Sequence, residues 1–198
     1  MLNFRLIGPR FCLSGGWQNL KKDIDFLLEN NVFAVLDLQF TPEDSSLMIG
    51  AVTDELEKNF IVYKSIRMFD SELNRDLDGI LNEAFETLTT WEAALDKEPV
   101  STDKPKLGGV GNNKPRLLVK CGAGVSRSVC VLTAYLCTSR RWSFDFARNW
   151  ITDNEDDFLG ISHAESHFFG AGIGMDPFFT DKLRKLFPEK GSAFGVKE

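Results

Sequence analysis

One thiol, one guanidinium and two hydroxyls lie within a single short stretch of this chain, Lys120-Cys121-Gly122-Ala123-Gly124-Val125-Ser126-Arg127-Ser128. A cysteine is a nucleophile as its thiolate, and an arginine presents a planar fork of donors that takes two oxygens of a phosphate at once. Between Cys121 and Arg127 two glycines, Gly122 and Gly124, let the backbone turn so that successive N–H groups face one concavity. Such a concavity holds an anion, and it also favours a thiolate over a thiol. Cysteines in comparable settings have pKa values lowered from about 8.5 to roughly 3.5–7.5. A nucleophile placed beside a clamp for oxyanions is equipped for displacement at phosphorus.

The elements that position these groups are legible on either side. Leu117-Leu118-Val119 is a short apolar run of the kind that forms a buried strand, and Val129-Cys130-Val131-Leu132-Thr133-Ala134-Tyr135-Leu136 reads as a buried helix. The stretch is therefore a tight loop between a strand and a helix. The start of that helix adds unpaired N–H groups and the positive end of its dipole to the same concavity.

The spacing Cys-x5-Arg followed by serine resembles the signature of the cysteine-dependent protein phosphatases. The version here, Cys121-Gly-Ala-Gly-Val-Ser-Arg127-Ser128, is most similar to the dual-specificity branch, whose usual form is His-Cys-x-Ala-Gly-x-Ser-Arg-Ser. The chain departs from it at Lys120, which stands where the family has histidine. The resemblance implies an α/β fold, a central mostly parallel twisted sheet flanked by helices. It also implies hydrolysis of a phosphate monoester through a cysteinyl-phosphate. Cys121 would attack phosphorus, while Arg127 and the backbone N–H groups of Gly122, Ala123, Gly124, Val125, Ser126 and Arg127 hold the three equatorial oxygens. Ser128 would donate to the departing sulfur. Asp70, after an apolar strand and before a long helix, occupies the place of the family's general acid. Neither a metal nor a cofactor is required.

The remaining residues offer rivals for these roles. Asp70 also suits a helix cap before Ser71-Glu72, with Glu72, Asp76 and Asp78 as nearby substitutes. Ser128 suits a helix cap as well, and Lys120 is a weak phosphate-binding candidate that strand alternation turns away from Cys121. His163 and His167 have the i, i+4 spacing that shares a metal on a helix, without a third ligand to complete a site.

Composition narrows the class. With 198 residues, 43% of them hydrophobic, and 17 Phe, the chain can bury one aromatic core and reads as a single domain. A net charge of −6 argues against a general nucleic-acid or acidic-membrane binder. No apolar run spans a bilayer, Met1-Leu2-Asn3-Phe4-Arg5 lacks the pattern of a signal peptide, and Cys12, Cys121, Cys130 and Cys137 show no metal or disulfide spacing. A soluble protein of the cytoplasm follows, since a low-pKa nucleophile needs a reducing compartment.

Along the chain, a hairpin is expected around Gly8-Pro9, a helix from Gln18 to Asn30, and a doubly covered strand from Val32 to Leu38. A weaker helix from Ser45 to Asn59 and a strand from Phe60 to Ile66 follow, then a helix to about Leu95. Helices from Trp142 to Ile151 and from Met175 to Phe187 close the chain. Residues 96–116, rich in proline and glycine, and residues 152–174, acidic and then aromatic, read as insertions into the family pattern. The function expected is a phosphatase of phosphotyrosine proteins and peptides that extends to phosphoserine and phosphothreonine. Two alternatives use the same loop: a catalytically weak phosphate-binding module, motivated by Lys120 and the insertions, and a phosphoinositide or RNA 5′-phosphatase. The second is disfavoured by the uncharged residues between Cys121 and Arg127, where a more highly charged substrate calls for basic groups.

Overall fold

The computed structural model describes residues 4–39, 46–69, 76–97, 114–156 and 174–189. Strands β1 (Phe4–Ile7) and β2 (Phe11–Ser14) form the expected hairpin, antiparallel from Phe4↔Ser14 to Ile7↔Phe11, with Gly8 at φ +59° in its turn. Helix α1 (Leu20–Glu29) starts where Asn19 accepts the Lys22 N–H, and the buried Asp23 carboxylate takes the N–H groups of Gln18 and Asn19. Strand β3 (Val32–Asp37) is the continuous apolar run, ending in a buried aspartate.

Helix α2 (Ser46–Lys58) ends in a Schellman turn: the Ile61 N–H reaches the Leu56 carbonyl, and the Phe60 N–H that of Glu57. The left-handed residue of this turn is Phe60, at φ +58° and exposed, where glycine is usual. Strand β4 (Val62–Ser65) follows, then helix α3 (Leu77–Lys97), strand β5 (Arg116–Lys120) and helix α4 (Arg127–Arg140). Helix α5 (Phe144–Asp153), a two-residue strand β6 (Glu155–Asp156) and helix α6 (Pro177–Leu186) complete the order.

The six strands lie in the order β4-β3-β5-β2-β1-β6. Pairs β3–β4, β3–β5 and β2–β5 are parallel, and β1 pairs antiparallel with β2 and β6, so the sheet is mostly parallel as expected. Helices α3 and α4 pack on one face with Leu36, Leu117 and Val119, while α1 and α2 cover Val35 and Leu118 on the other. Every residue from Ser128 to Cys137 is buried, so α4 is a central helix with no solvent stripe. Its cysteines, Cys130 and Cys137, are core fillers. No helix among the described residues is long and apolar enough to cross a membrane.

Regular elements reach into both stretches expected as insertions, residues 96–116 and 152–174. Asp96 and Lys97 continue α3, Arg116 begins β5, and Thr152 and Asp153 end α5. Glu155–Asp156 pairs with Leu6 and Ile7 as an edge strand. Polar residues at a helix end or in a two-residue strand carry no hydrophobic periodicity, so their membership is decided by backbone pairing alone. Residues 98–113 and 157–173, the bulk of both proposed insertions, lie outside the described residues.

Candidate active site

Strand β5 sits between β3 and β2, and the parallel strands β2, β3 and β5 all bring their carboxyl ends to the same edge. Ligands of open α/β sheets bind at that edge. Cys121 is the first residue beyond β5, with its N–H bonded to the Ser14 carbonyl at 3.1 Å. The loop then turns over its own sulfur: the Gly124 N–H donates to Sγ at 3.2 Å, and the Ser128 Oγ lies 3.4 Å from it. The sulfur itself is buried.

The ionisation of Cys121 is set by opposing effects. Burial pushes the thiol up, and it is outweighed by hydrogen bonds from the Ser128 hydroxyl and backbone, by the Arg127 charge and by the Gly124 N–H, so that it stands below its ordinary value. At Cys12 and Cys137 the balance goes the other way, burial outweighing the Arg116 charge at the first and a backbone hydrogen bond at the second. Burial pushes Cys12 and Cys137 up, which leaves them inert beside Cys121.

Gly124 is the residue on which the turn depends. It has φ +73°, and a Cβ there would come 2.6 Å from the Ser14 carbonyl carbon and 2.7 Å from the Gly15 nitrogen. Both are backbone atoms that cannot swing aside. Gly124→Ala is therefore expected to lower stability by about 2 kcal/mol or more, the left-handed strain of an L-residue plus the displaced contact. Phosphate affinity should fall with it, as measured by denaturant unfolding with and without phosphate. Unchanged stability and unchanged phosphate protection would mean that the loop does not need this close approach.

Arg127 is the first residue of α4, and its Nη1 donates to the carbonyls of Leu38 at 3.2 Å and Met68 at 3.1 Å. The guanidinium is thereby oriented by the segments that leave β3 and β4. Met68 precedes Asp70 closely in the chain, so the segment leading to the expected acid passes beside the guanidinium. Asp70 and Glu72 themselves lie outside the described residues, as do His163 and His167. Asp76 and Asp78 have other occupations: Asp76 caps α3 through the Gly79 N–H at 2.9 Å, and Asp78 pairs with Lys182 of α6. Asp76 thus stands just before α3, and Asp78 lies in its first turn.

Ser126 and Ser128 take different roles. Ser128 lies inside α4, where its hydroxyl meets the sulfur, so it is not a cap. Ser126 holds the N-cap position without a side-chain cap bond, and its Oγ instead accepts the Asp176 N–H at 3.1 Å, tying the loop to the start of α6. Gly122 and Ala123 are exposed at the rim, Val125 is half-buried, and the Gly122 carbonyl accepts the Gly16 N–H at 2.7 Å.

Lys120 does turn away from Cys121, and it is not available to a phosphate. Its side chain is 0% exposed, with Nζ 2.9 Å from Asp37 Oδ2 and 3.1 Å from Gln39 Oε1 and over the Trp17 ring at 4.7 Å. Burial pushes the ammonium below its ordinary value, against the Asp37 carboxylate, which holds it up. Sequence reasoning passed over Asp37, Trp17 and Gln39. The available signal was an aspartate closing an apolar strand beside a lysine closing another.

No protein-family model and no curated protein sequence matches the chain. Solved structures do. PTPMT1 in complex with PI(5)P superposes with a TM-score of 0.59 at 17% identity, covering 92% of this chain and 94% of that one. The PTP-2 phosphatase of Cydia pomonella gives 0.56 at 16% identity over 93% and 90% of the two chains. Human DUSP28 gives 0.51 at 17% identity over 92% and 90%. The chain has the fold of the dual-specificity-type cysteine phosphatases. In this fold the Cys121 loop occupies the edge where the carboxyl ends of the parallel strands meet.

Proposed function

We propose that the protein is a cysteine-dependent phosphatase, a phosphoric monoester hydrolase. The observation that carries this reading is the convergence on one buried sulfur of the Gly124 N–H and the Ser128 hydroxyl, with Arg127 held in the same loop. In the first step the Cys121 thiolate forms an Sγ–P bond as the ester P–O bond breaks, and Asp70 gives its proton to the departing oxygen. Arg127 and the loop N–H groups hold the equatorial oxygens, whose charge is spread in the transition state. In the second step water attacks phosphorus, Asp70 takes its proton, and the S–P bond breaks with the electron pair returning to sulfur. Ser128 donates to that sulfur and eases its departure. The products are the free hydroxyl compound and inorganic phosphate.

The substrates are phosphotyrosine proteins and peptides, with phosphoserine and phosphothreonine as further members. The uncharged side chains between Cys121 and Arg127 support a singly phosphorylated group. A phosphoinositide is the second reading, favoured by one observation: a structure of this fold, PTPMT1, was solved with PI(5)P. The four free cysteines support a reducing, cytoplasmic setting, and the shared sheet supports one phosphatase domain over the 198 residues.

Turnover of an aryl phosphate, a panel of phosphopeptides and a panel of phosphoinositides, each with and without a chelator, tests the reading. Phosphotyrosine peptides should be hydrolysed at least about tenfold better, in kcat/KM, than phosphoinositides, with no effect of chelator. The reverse order would transfer the protein to lipid substrates. Absence of turnover on every substrate, with phosphate still bound, would make it a binding module.

A further inference from the structure

We infer that Lys120 and Asp37 act as one buried charge pair that positions the phosphate loop, Lys120 serving as a positioning residue through its charge. This rests on the reading of Cys121 as nucleophile. Four donors converge on the Asp37 carboxyl group: Lys120 Nζ at 2.9 Å, Trp17 Nε1 at 3.1 Å and the Tyr63 hydroxyl at 3.2 Å on Oδ2, and the Gln39 N–H at 2.8 Å on Oδ1. The ammonium in turn has Asp37, the Gln39 amide oxygen and the face of Trp17 about it. A charge so enclosed persists only with its partner, because neither member has water to replace the other.

The pair closes the short turn Asp37-Leu38-Gln39, and each residue of that turn reaches the loop. Leu38 lies between the two acceptors of the ammonium. Its N–H donates to the Lys120 carbonyl at 2.8 Å, and its own carbonyl accepts Arg127 at 3.2 Å. The Gln39 side chain presses on Gly16, where a Cβ would meet Oε1 at 2.9 Å, and the Gly16 N–H holds the Gly122 carbonyl at 2.7 Å. Lys120 itself precedes Cys121 in the chain. One buried ammonium therefore fixes the acceptor that aims the guanidinium, the floor beneath Gly122 and the strand end that delivers the sulfur. A merely stabilising ion pair would need none of these connections.

The charged and titratable groups around the ammonium are Asp37 on β3, Tyr63 on β4 through Asp37, Cys121, and Arg127 at the start of α4. Cys121 and Lys120 interact through space, the sulfur helping to hold the ammonium up, and opposite charges favour each other's ionised forms. Removing it acts on both position and ionisation.

The test compares wild type, Lys120→Met and the charge-neutral pair Lys120→Met/Asp37→Asn. The readouts are thermal unfolding, the pH dependence of iodoacetate alkylation of Cys121, and affinity for inorganic phosphate. Lys120→Met, which strands the Asp37 carboxylate, should unfold at lower temperature, and the double variant should recover most of that loss. In Lys120→Met, which removes the positive charge and leaves the carboxylate, the alkylation midpoint should rise by about one pH unit, and in both variants phosphate affinity should fall by about tenfold. The double variant keeps the comparison decisive if the single one does not fold. A double variant with wild-type phosphate affinity would overturn the inference and leave the pair as core structure. None of these readouts needs turnover, so a failure of the phosphatase reading, seen as no hydrolysis by wild type, is distinguished from a failure of this one.

Discussion

Cys121→Ser is expected to lose turnover by about 10⁴-fold or more, in line with removal of a covalent nucleophile elsewhere, while still binding phosphate or vanadate. The two outcomes separate because they rest on different groups. Turnover needs the sulfur, whose thiolate is favoured by Ser128, Gly124 and Arg127 against the effect of burial. Binding needs the loop backbone and the guanidinium, which the substitution does not touch. Phosphorus displacement by a serine hydroxyl would require a base to take its proton, and no carboxylate or imidazole contacts Sγ among the described residues. A serine variant that kept a tenth of wild-type activity would rule out the covalent route. The same thiol leaves a mark on stability. Its folded pKa is lowered, so ionised Cys121 stabilises the fold above the unfolded thiol value, and that contribution is lost as pH falls through the lowered folded value. The serine variant should lack this slope in denaturant unfolding measured across neutral to alkaline pH.

Asp70→Asn should lose about 10²–10⁴-fold on a phosphotyrosine peptide and much less on a nitrophenyl phosphate. A general acid matters in proportion to how poorly the leaving group departs unprotonated. An ordinary phenoxide needs the proton, whereas nitrophenoxide leaves nearly as well without it. The alkaline limb of the pH–rate profile, which reports loss of the protonated acid, should flatten in the variant. Equal losses on both substrates with the limb intact would return Asp70 to the role of a helix cap and move the acid to Glu72. Asp76 and Asp78 are poor substitutes because each is already engaged, Asp76 as the cap of α3 and Asp78 with Lys182.

The strand, loop and helix around Cys121 were legible from residue order because each rests on local physics. Leu117 to Val119 is apolar on both faces, the loop needs glycine where φ is positive, and the buried run from Ser128 to Cys137 allows only a central helix. The hairpin around Gly8 and the doubly covered β3 were legible for the same reason. Strand β6 was not, because two acidic residues have no pattern, and their pairing with Leu6 and Ile7 exists only once α5 has carried the chain to that edge. Asp70 illustrates a further limit: its position between a strand and a helix nominates it, and its side chain lies outside the described residues.

The chain order by itself determined the thiol, the guanidinium and the loop that joins them, since a Cys-x5-Arg spacing places all three within one short stretch of backbone. Only tertiary structure decided what surrounds them. Lys120, adjacent to Cys121 in sequence, points to the opposite side of β5 and finds its partners on β3 and in the segment after β2. Ser126, inside the same loop, accepts through its hydroxyl oxygen the Asp176 N–H at the start of α6. Arg127 is aimed by carbonyls that follow β3 and β4. Spacing along a chain sets which groups can be neighbours within a turn, but a buried charge or a carbonyl acceptor is supplied by whichever strands the sheet order brings alongside, and that order is a property of the whole core.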